Sequence, residues 1–372
     1  MKKIGVVTFH RAENFGSVLQ TYALQEFIKS IAVQSGQEIE YNVLDVQPKK
    51  QKELYSIYKK GFSVANVIKN SVAFFYRKKL TEKHKKFCEF LNEYIHLSKG
   101  YETIDGLYQA SPKYDYCISG SDQIWNVRSH DFEDYFYLDF AKSAKKVSYA
   151  ASFGPLEIDW SKYDANKYGE LLKDYNYIST REIGGAKNVE ILTGNIPEIH
   201  VDPTLLLDCE QWREIQSNAN YKAGKYILLY CLEPSKTQLK MVKAISKKLN
   251  LPVVITKYNN KNDIVNGFVK KYESGPKDFL SLIDNAALVL TSSFHGTAFS
   301  LIYHKKFYVF NAKTDNRIAD ILSKTNLLER SIESIEEIEK VDLQEVDFST
   351  SNDFLKKQKE KSQTYLKTAL DL

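Results

Sequence analysis

Short apolar runs alternate along this chain with longer stretches whose apolar residues recur every three or four positions. The first run, residues 3–9, predicts a strand. The loop from His10 to Ser17 then leads into a helix over 18–30, with Leu19, Tyr22, Ala23 and Phe27 on one face. Further strands are predicted at 40–45, 114–119, 146–152, 175–179 and 198–201, with a basic helical region ending near Tyr94. A polar stretch over 211–224 reads as a linker. A second series follows it: strand 226–232, helix 236–250, strand 252–256, helix 276–285, strand 286–290, a helix running to 303, and strand 307–310. Pro276 stands at a favoured first-turn position of its helix. The alternation predicts an α/β fold of two Rossmann-like domains facing a cleft, with parallel sheets covered by helices. The expected N-terminal domain covers 1–210, with a basic helical insertion near 49–94. The C-terminal domain covers 222–345, and a helix over 353–372 crosses back.

Ligands in open α/β sheets bind beyond the carboxyl ends of strands, so polar residues there are candidates for a site. The strand over 286–290 breaks at Thr291, Ser292 and Ser293, and Gly296 is expected to turn the chain into a helix beginning at Thr297. His295 falls between them, where helix amides favour an anion. A histidine there can also be a turn residue that only satisfies backbone carbonyls. Other clusters at predicted strand ends are Asn14-Phe15-Gly16-Ser17, Ser121-Asp122-Gln123 with Trp125 and Asn126, Arg181-Glu182, and Asp202-Pro203. Each has a structural alternative: Asn14 and Ser17 as helix caps, Trp125 as core, Arg181-Glu182 as an ion pair, Asp202-Pro203 as a strand end.

Charge adds one feature. The net charge is +5 over 372 residues, but residues 49–86 hold twelve Lys/Arg against two Asp/Glu, and the remainder carries 40 basic against 45 acidic. Tyr55, Tyr58, Phe62, Phe74, Phe75 and Tyr76 are interleaved with these cations. Such a stretch suits an anionic membrane surface or a nucleic acid backbone, or forms a solvated helical pair with its aromatics inward. The four cysteines are scattered without a C-x-x-C pair, which argues against zinc and disulfides and fits a reducing compartment. The N-terminus lacks the pattern of a signal peptide and no window is long enough to span a bilayer, so a cytoplasmic protein is expected. The first loop lacks G-x-G-x-x-G, and no P-loop, G-x-S-x-G elbow or H-E-x-x-H occurs. No metal is expected.

Taken in order, Asn14-Phe-Gly-Ser-Val-Leu-Gln-Thr-Tyr-Ala-Leu, Gly120-Ser-Asp-Gln-Ile-Trp-Asn, Ser148-Tyr-Ala-Ala-Ser-Phe-Gly, Ser179-Thr-Arg-Glu, Val201-Asp-Pro-Thr, Ser292-Ser-Phe-His-Gly-Thr and Asp315-Asn-Arg-Ile resemble the motif series of the polysaccharide pyruvyl transferase family. The resemblance implies a fold similar to the glycosyltransferase B type. It implies transfer of pyruvyl from phosphoenolpyruvate onto two sugar hydroxyls, with a cyclic ketal formed and phosphate released. No cofactor is implied beyond that co-substrate. It makes His295 the expected general acid, with Asp122 and then Glu182 as bases. Arg181, Ser292, Ser293, Gly296, Thr297 and Arg317 become expected donor ligands. Asn14, Gly16, Ser17, Gln123, Trp125 and Asn126 are expected on the acceptor side. Many members carry Arg two positions before the His, where this chain has Ser293, so that phosphate contact is either lost or supplied from elsewhere, by Arg317 or Arg11. A lipid-diphosphate-linked oligosaccharide is the expected acceptor, with peripheral attachment at the inner membrane face; nucleic acid is not an expected partner. The alternatives are a nucleotide-sugar glycosyltransferase of the B type and a non-catalytic sugar- or nucleic-acid-binding protein.

Overall fold

Strand β1, Lys2–Val7, ends in four consecutive buried positions, the pattern of a strand covered on both faces. Asn14 then caps helix α1, Phe15–Gln34, its side-chain oxygen accepting from the Gly16 amide at 3.0 Å. The cap starts the helix three residues before apolar spacing alone predicts. Strand β2 (Ile39–Val43) follows, then helices α2 (Lys49–Leu54), α3 (Val64–Phe75), α4 (Arg77–Tyr94) and α5 (Ile104–Ala110). Next come β3 (Tyr116–Ser119), β4 (Lys145–Ser148), α6 (Ala165–Lys173), β5 (Ser179–Thr180), α7 (Ile183–Thr193) and β6 (Glu198–Ile199). The later part holds α8 (Cys209–Ile215), β7 (Ile227–Tyr230), α9 (Lys236–Leu249), β8 (Val253–Ile255), β9 (Val269–Lys270), α10 (Pro276–Asp284), β10 (Leu288–Thr291), α11 (Phe294–Ile302), β11 (Phe307–Val309), α12 (Asn316–Lys324) and α13 (Ser349–Ala369). The computed structural model describes residues 1–61, 63–218, 222–257, 267–310 and 312–372; Phe62 and part of the 211–224 stretch lie outside them.

The chain forms two compact units: Met1–Tyr55 with Leu91–Leu207 and Leu355–Leu372, and Ser56–Phe90 with Asp208–Phe354. In the first, the parallel strands run β2-β1-β3-β4, and single bridges from Val147 to Tyr177 and Ala151 to Thr180 carry the sheet on to β5 and β6. Strand order reverses between β1 and β3. In the second, the parallel order is β11-β10-β7-β8-β9, a doubly wound order that reverses between β7 and β10. Each reversal leaves a crevice at the carboxyl ends of the two strands, because their following connections depart in opposite directions.

The first unit's core is aromatic. Trp125 is fully buried, stacked on Tyr137 at 5.3 Å and edge-on to Phe153 and Tyr175. The end of α13 packs here too: Leu366 and Leu370 are buried, and the Tyr365 hydroxyl donates to the Ser148 carbonyl at 2.8 Å. Two organisational expectations change. Residues 56–90 join the second unit, because Lys86 pairs with Asp278 at 2.8 Å, Lys79 donates to the Lys270 carbonyl, and Tyr76 packs edge-on to Tyr272 at 5.1 Å. The 211–224 stretch is not all linker. Asp208 and Gln211 form a reciprocal capping box that starts α8, which buries Trp212 against Phe299 at 5.0 Å.

Candidate functional site

The reversal point of the first sheet is closed by a hydrogen bond between its two loops. Ser17, in the first turn of α1 after β1, donates its hydroxyl to Asp122 Oδ2 at 2.5 Å, after β3. Asp122 Oδ1 accepts from the Gln123 amide at 2.9 Å, and the Asp122 carbonyl accepts from the Ser152 amide at 2.9 Å. Asp122 itself has φ +75°, a left-handed conformation that aspartate tolerates better than most residues. Ala150 has φ +48°, which costs a residue with a β-carbon about 1–2 kcal/mol. Ser121 Oγ, donating to the Ala150 carbonyl at 2.9 Å, and the Ala150 amide, donating to Ser179 Oγ at 3.0 Å, hold it there.

The neighbouring loops are tied in by the same kind of contact. Glu182 Oε1 accepts from Ser152 Oγ at 3.0 Å and from the Phe153 amide at 3.1 Å. Asn126 Nδ2 donates to Gln123 Oε1 at 2.9 Å, while its Oδ1 accepts from Arg128. Gly154 lies against this pair with φ +90°; a β-carbon there would stand 2.6 Å from Asn126 Nδ2. Ser17, Asp122, Gln123, Asn126 and Glu182 are therefore gathered at the carboxyl edge of one sheet, with half-buried Asn14 capping the same helix and buried Gly16 supplying the capped amide.

Two expected ligands are not presented there. Trp125 belongs to the aromatic core, because its indole is sandwiched by rings and its N–H donates to the Phe136 carbonyl. Arg181 is committed to a buried ion pair with Asp202 at 2.7 Å, the two side chains 2 % and 0 % exposed, and it donates to Ser121 Oγ at 2.7 Å. Asp202 Oδ1 also accepts from the Thr204 amide and hydroxyl. Its Nη2 thus ties together the three loops that carry Ser121, Arg181 and Asp202.

The second sheet reverses between β7 and β10, and there Thr291 Oγ1 donates to the Tyr230 carbonyl at 2.7 Å and accepts from the Ser293 amide at 3.0 Å. Ser293 is the N-cap of α11, whose first turn holds Phe294, His295 and Gly296; the first backbone bond runs from the Thr297 amide to the Ser293 carbonyl. His295 is therefore a first-turn helix residue, not a loop residue, and is mostly buried. Gly296 does not turn the chain either. Its role is close packing: a β-carbon would lie 2.2 Å from Thr291 Oγ1 and 3.0 Å from the Tyr230 ring. Thr297 is fully buried and donates back to the Ser293 carbonyl, which corrects its expected place among the donor ligands. Ser292 remains half-buried at the rim.

Arg317 sits in the first turn of α12, its guanidinium 5.9 Å from the Phe294 ring centre, and Phe294 is edge-on to His295 at 5.5 Å. It forks onto Asp315 at 2.9 and 2.6 Å. Burial works against that carboxylate, but the bonds from Arg317 prevail and hold it below the usual range. Arg11, the other cation expected to replace the missing arginine, forks in the first unit onto Asp45 at 2.7 and 2.6 Å.

Sequence reading missed Lys257 and Cys231. Lys257 follows β8, adjacent to β7 in the sheet; burial lowers the pKa of its ammonium, and Glu233 opposes the shift. Cys231 follows β7, and burial pushes its thiol up to about 12 against hydrogen bonds from Ser292. Both are readable by the strand-end rule that found the other candidates. Among the described residues, no group of three or more His, Cys, Asp or Glu is placed to hold a metal, and no helix is long and apolar enough to cross a membrane.

Comparison with known proteins agrees with this architecture. The sequence model of the family described as polysaccharide pyruvyl transferase matches residues 14–314. No curated protein matches the chain. Among solved structures, UDP-N-acetylglucosamine 2-epimerase from Rickettsia bellii is similar at TM-score 0.54 and 10% identity, covering 100% of this chain and 97% of that one. The Methanocaldococcus jannaschii UDP-GlcNAc 2-epimerase, in complex with UDP-GlcNAc and UDP, is similar at TM-score 0.50 and 12% identity, covering 91% of each chain. At such identities the likeness concerns fold alone, which is α/β with parallel sheets.

Proposed function

The chain belongs to the polysaccharide pyruvyl transferase family and is a transferase, and we propose that it moves pyruvyl from phosphoenolpyruvate onto two hydroxyls of one sugar in a surface polysaccharide or its lipid-linked precursor. The observation that carries this reading is the position of His295 in the first turn of a helix at a reversal point of a parallel sheet, inside the matched segment. Phosphoenolpyruvate carries about three negative charges and needs amide donors and cations. The first turn of α11 offers amides, Ser292 and Ser293 offer hydroxyls, and Arg317 and Lys257 are two cations of the same unit. Ser293 in place of arginine leaves that duty to them.

The chemistry is balanced without a cofactor. His295 gives a proton to the methylene carbon, so the adjacent carbon becomes cationic and a sugar hydroxyl adds to it. A carboxylate, Asp122 first and Glu182 second, takes the proton that the hydroxyl loses. Phosphate then leaves with the bonding pair, the carbon is cationic again, and the neighbouring hydroxyl closes the ketal. Of the two sugar protons lost, one restores the acid and the other leaves with phosphate. Asn14, Ser17, Gln123 and Asn126 orient the sugar, with Asn126 doing so through Gln123. A lipid-diphosphate-linked acceptor would bring the enzyme to the cytoplasmic face of a bilayer.

Incubation of the full chain with phosphoenolpyruvate and a panel of lipid- and nucleotide-linked sugars tests the reading. Acceptor-dependent phosphate release with a ketal product by mass is expected. A protein whose melting rises with a nucleoside diphosphate but ignores phosphoenolpyruvate would be a nucleotide-sugar glycosyltransferase instead.

A further inference from the structure

Helix α3 is built the wrong way round for a core helix. Of its twelve residues Ala73 alone is buried, whereas Val64, Val67, Ile68, Phe74 and Phe75 are exposed. Val64, Val67, Ile68 and Phe75 stand three, four and eleven positions apart, so they share one face; Val64 is 77 % and Phe75 82 % exposed. Scattered apolar residues on a surface are ordinary, but five on three turns of one helix form a patch. The helix is held in shape. Ser63 caps it, Asn66 donates to the Lys60 carbonyl at 2.7 Å, and Asn70 bonds both the amide and the carbonyl of Lys59. The Arg77 guanidinium covers the Phe74 ring at 4.4 Å.

Charge selects the occupant. Residues 49–86 hold twelve basic and two acidic residues, with Lys69, Arg77 and Lys78 exposed on or beside the helix. A second copy meeting this face symmetrically would set like charges against like. A nucleic acid would satisfy the cations but leave the valines and isoleucine in water. An anionic bilayer surface satisfies both, with headgroups for the cations and the acyl boundary for the apolar stripe. At twelve residues the helix is about 18 Å long and too short to span.

We propose that α3 docks the enzyme on an anionic membrane, lying in the plane of the interface with Val64, Val67, Ile68 and Phe75 inserted and the flanking lysines and arginine on the headgroups. The inference rests on the proposed function only in that a lipid-linked acceptor would be met there, and binding is measured without substrate. The experiment is flotation of the full chain with vesicles of phosphatidylcholine, with and without one part in three of phosphatidylglycerol, at low and high salt. Expected are binding only to the anionic vesicles, weakening with salt, and a fall of roughly fivefold per basic residue removed in Lys69→Glu/Lys78→Glu. Ile68→Glu/Phe75→Glu should bind more than about tenfold more weakly, with its unfolding transition unchanged because both positions are exposed. Wild-type protein left behind by anionic vesicles at low salt, or both variants floating like wild type, overturns the proposal. So does a dimer by light scattering that Ile68→Glu/Phe75→Glu converts to monomer while vesicle binding persists. Turnover on a water-soluble acceptor should be retained in both variants, so the docking claim and the reaction fail separately.

Discussion

Arg181 is the residue on which sequence pattern and structure disagree most usefully. Arg181→Met removes the cation and leaves the Asp202 carboxylate buried, with the Thr204 amide and hydroxyl as its remaining donors. Removing one partner of a buried ion pair costs about 3–5 kcal/mol, because the surviving charge keeps its desolvation penalty. Against a typical total stability of about 5–15 kcal/mol, that is a large share. Adding Asp202→Asn removes the stranded charge while the amide oxygen can keep both Thr204 bonds, so the double variant should recover most of the loss. Urea unfolding followed by tryptophan fluorescence reads this out, since Trp125 and Trp160, two of the three tryptophans, lie in the first unit. In parallel, Arg181→Lys is titrated with phosphoenolpyruvate. A single variant within about 0.5 kcal/mol of wild type, or a double variant no more stable than the single, refutes the buried-pair account. Donor affinity collapsing in Arg181→Lys at unchanged stability would return Arg181 to the ligand.

Three further outcomes are expected. Gly296→Ala forces a methyl to within 2.2 Å of Thr291 Oγ1 and should destabilise the second unit by about 1–3 kcal/mol or more, seen as a lowered melting transition; an unchanged transition would mean that α11 does not sit this close to β10. His295→Ala should lower turnover about 10²- to 10⁴-fold, whereas near-normal turnover removes it from the proton transfer. His200 should make the first unit acid-sensitive. Burial first, then the charge of Lys361, lower its imidazole from 6.5 to about 4 against the pull of Glu198, with Ser362 on the other ring nitrogen and Tyr149 and Tyr365 packed on its faces. Because the folded state resists a proton that the unfolded chain accepts, this contribution is complete above about pH 6.5. It is lost as pH falls towards 4, a total of about 3 kcal/mol. His200→Phe should remove that slope in unfolding measured across the window, and equal slopes would exclude His200 as its source.

The local rules of the chain were sufficient for many of the elements and for most strand-end candidates. Alternating apolar runs and helical spacing place β1, β3, β7 and β10 and the helices α1, α9, α10 and α11, but not α5, α6, α8 or α12. The same rule marks Ser17, Asp122, Glu182 and His295 as residues at strand ends, because a parallel sheet sends every strand's carboxyl end to one edge. The cap at Asn14 was readable too and sets where α1 begins, whereas the Asp208–Gln211 box starts α8 where a linker was expected. What sequence spacing could not supply is which partner a polar side chain meets. Arg181 finds Asp202 and Trp125 finds Tyr137 because loops from separate strands converge, and neither pairing is encoded in neighbouring positions. Gly296 looked like a turn because glycine permits one; only the approach of α11 to Thr291 shows that it is there for want of a β-carbon. Residues 56–90 lie nearer in sequence to the first sheet, yet Lys79, Lys86 and Tyr76 tie them to the second unit. Secondary structure follows from interactions within a few residues, whereas burial, pairing and unit membership follow from contacts across the chain, which spacing along the sequence does not record.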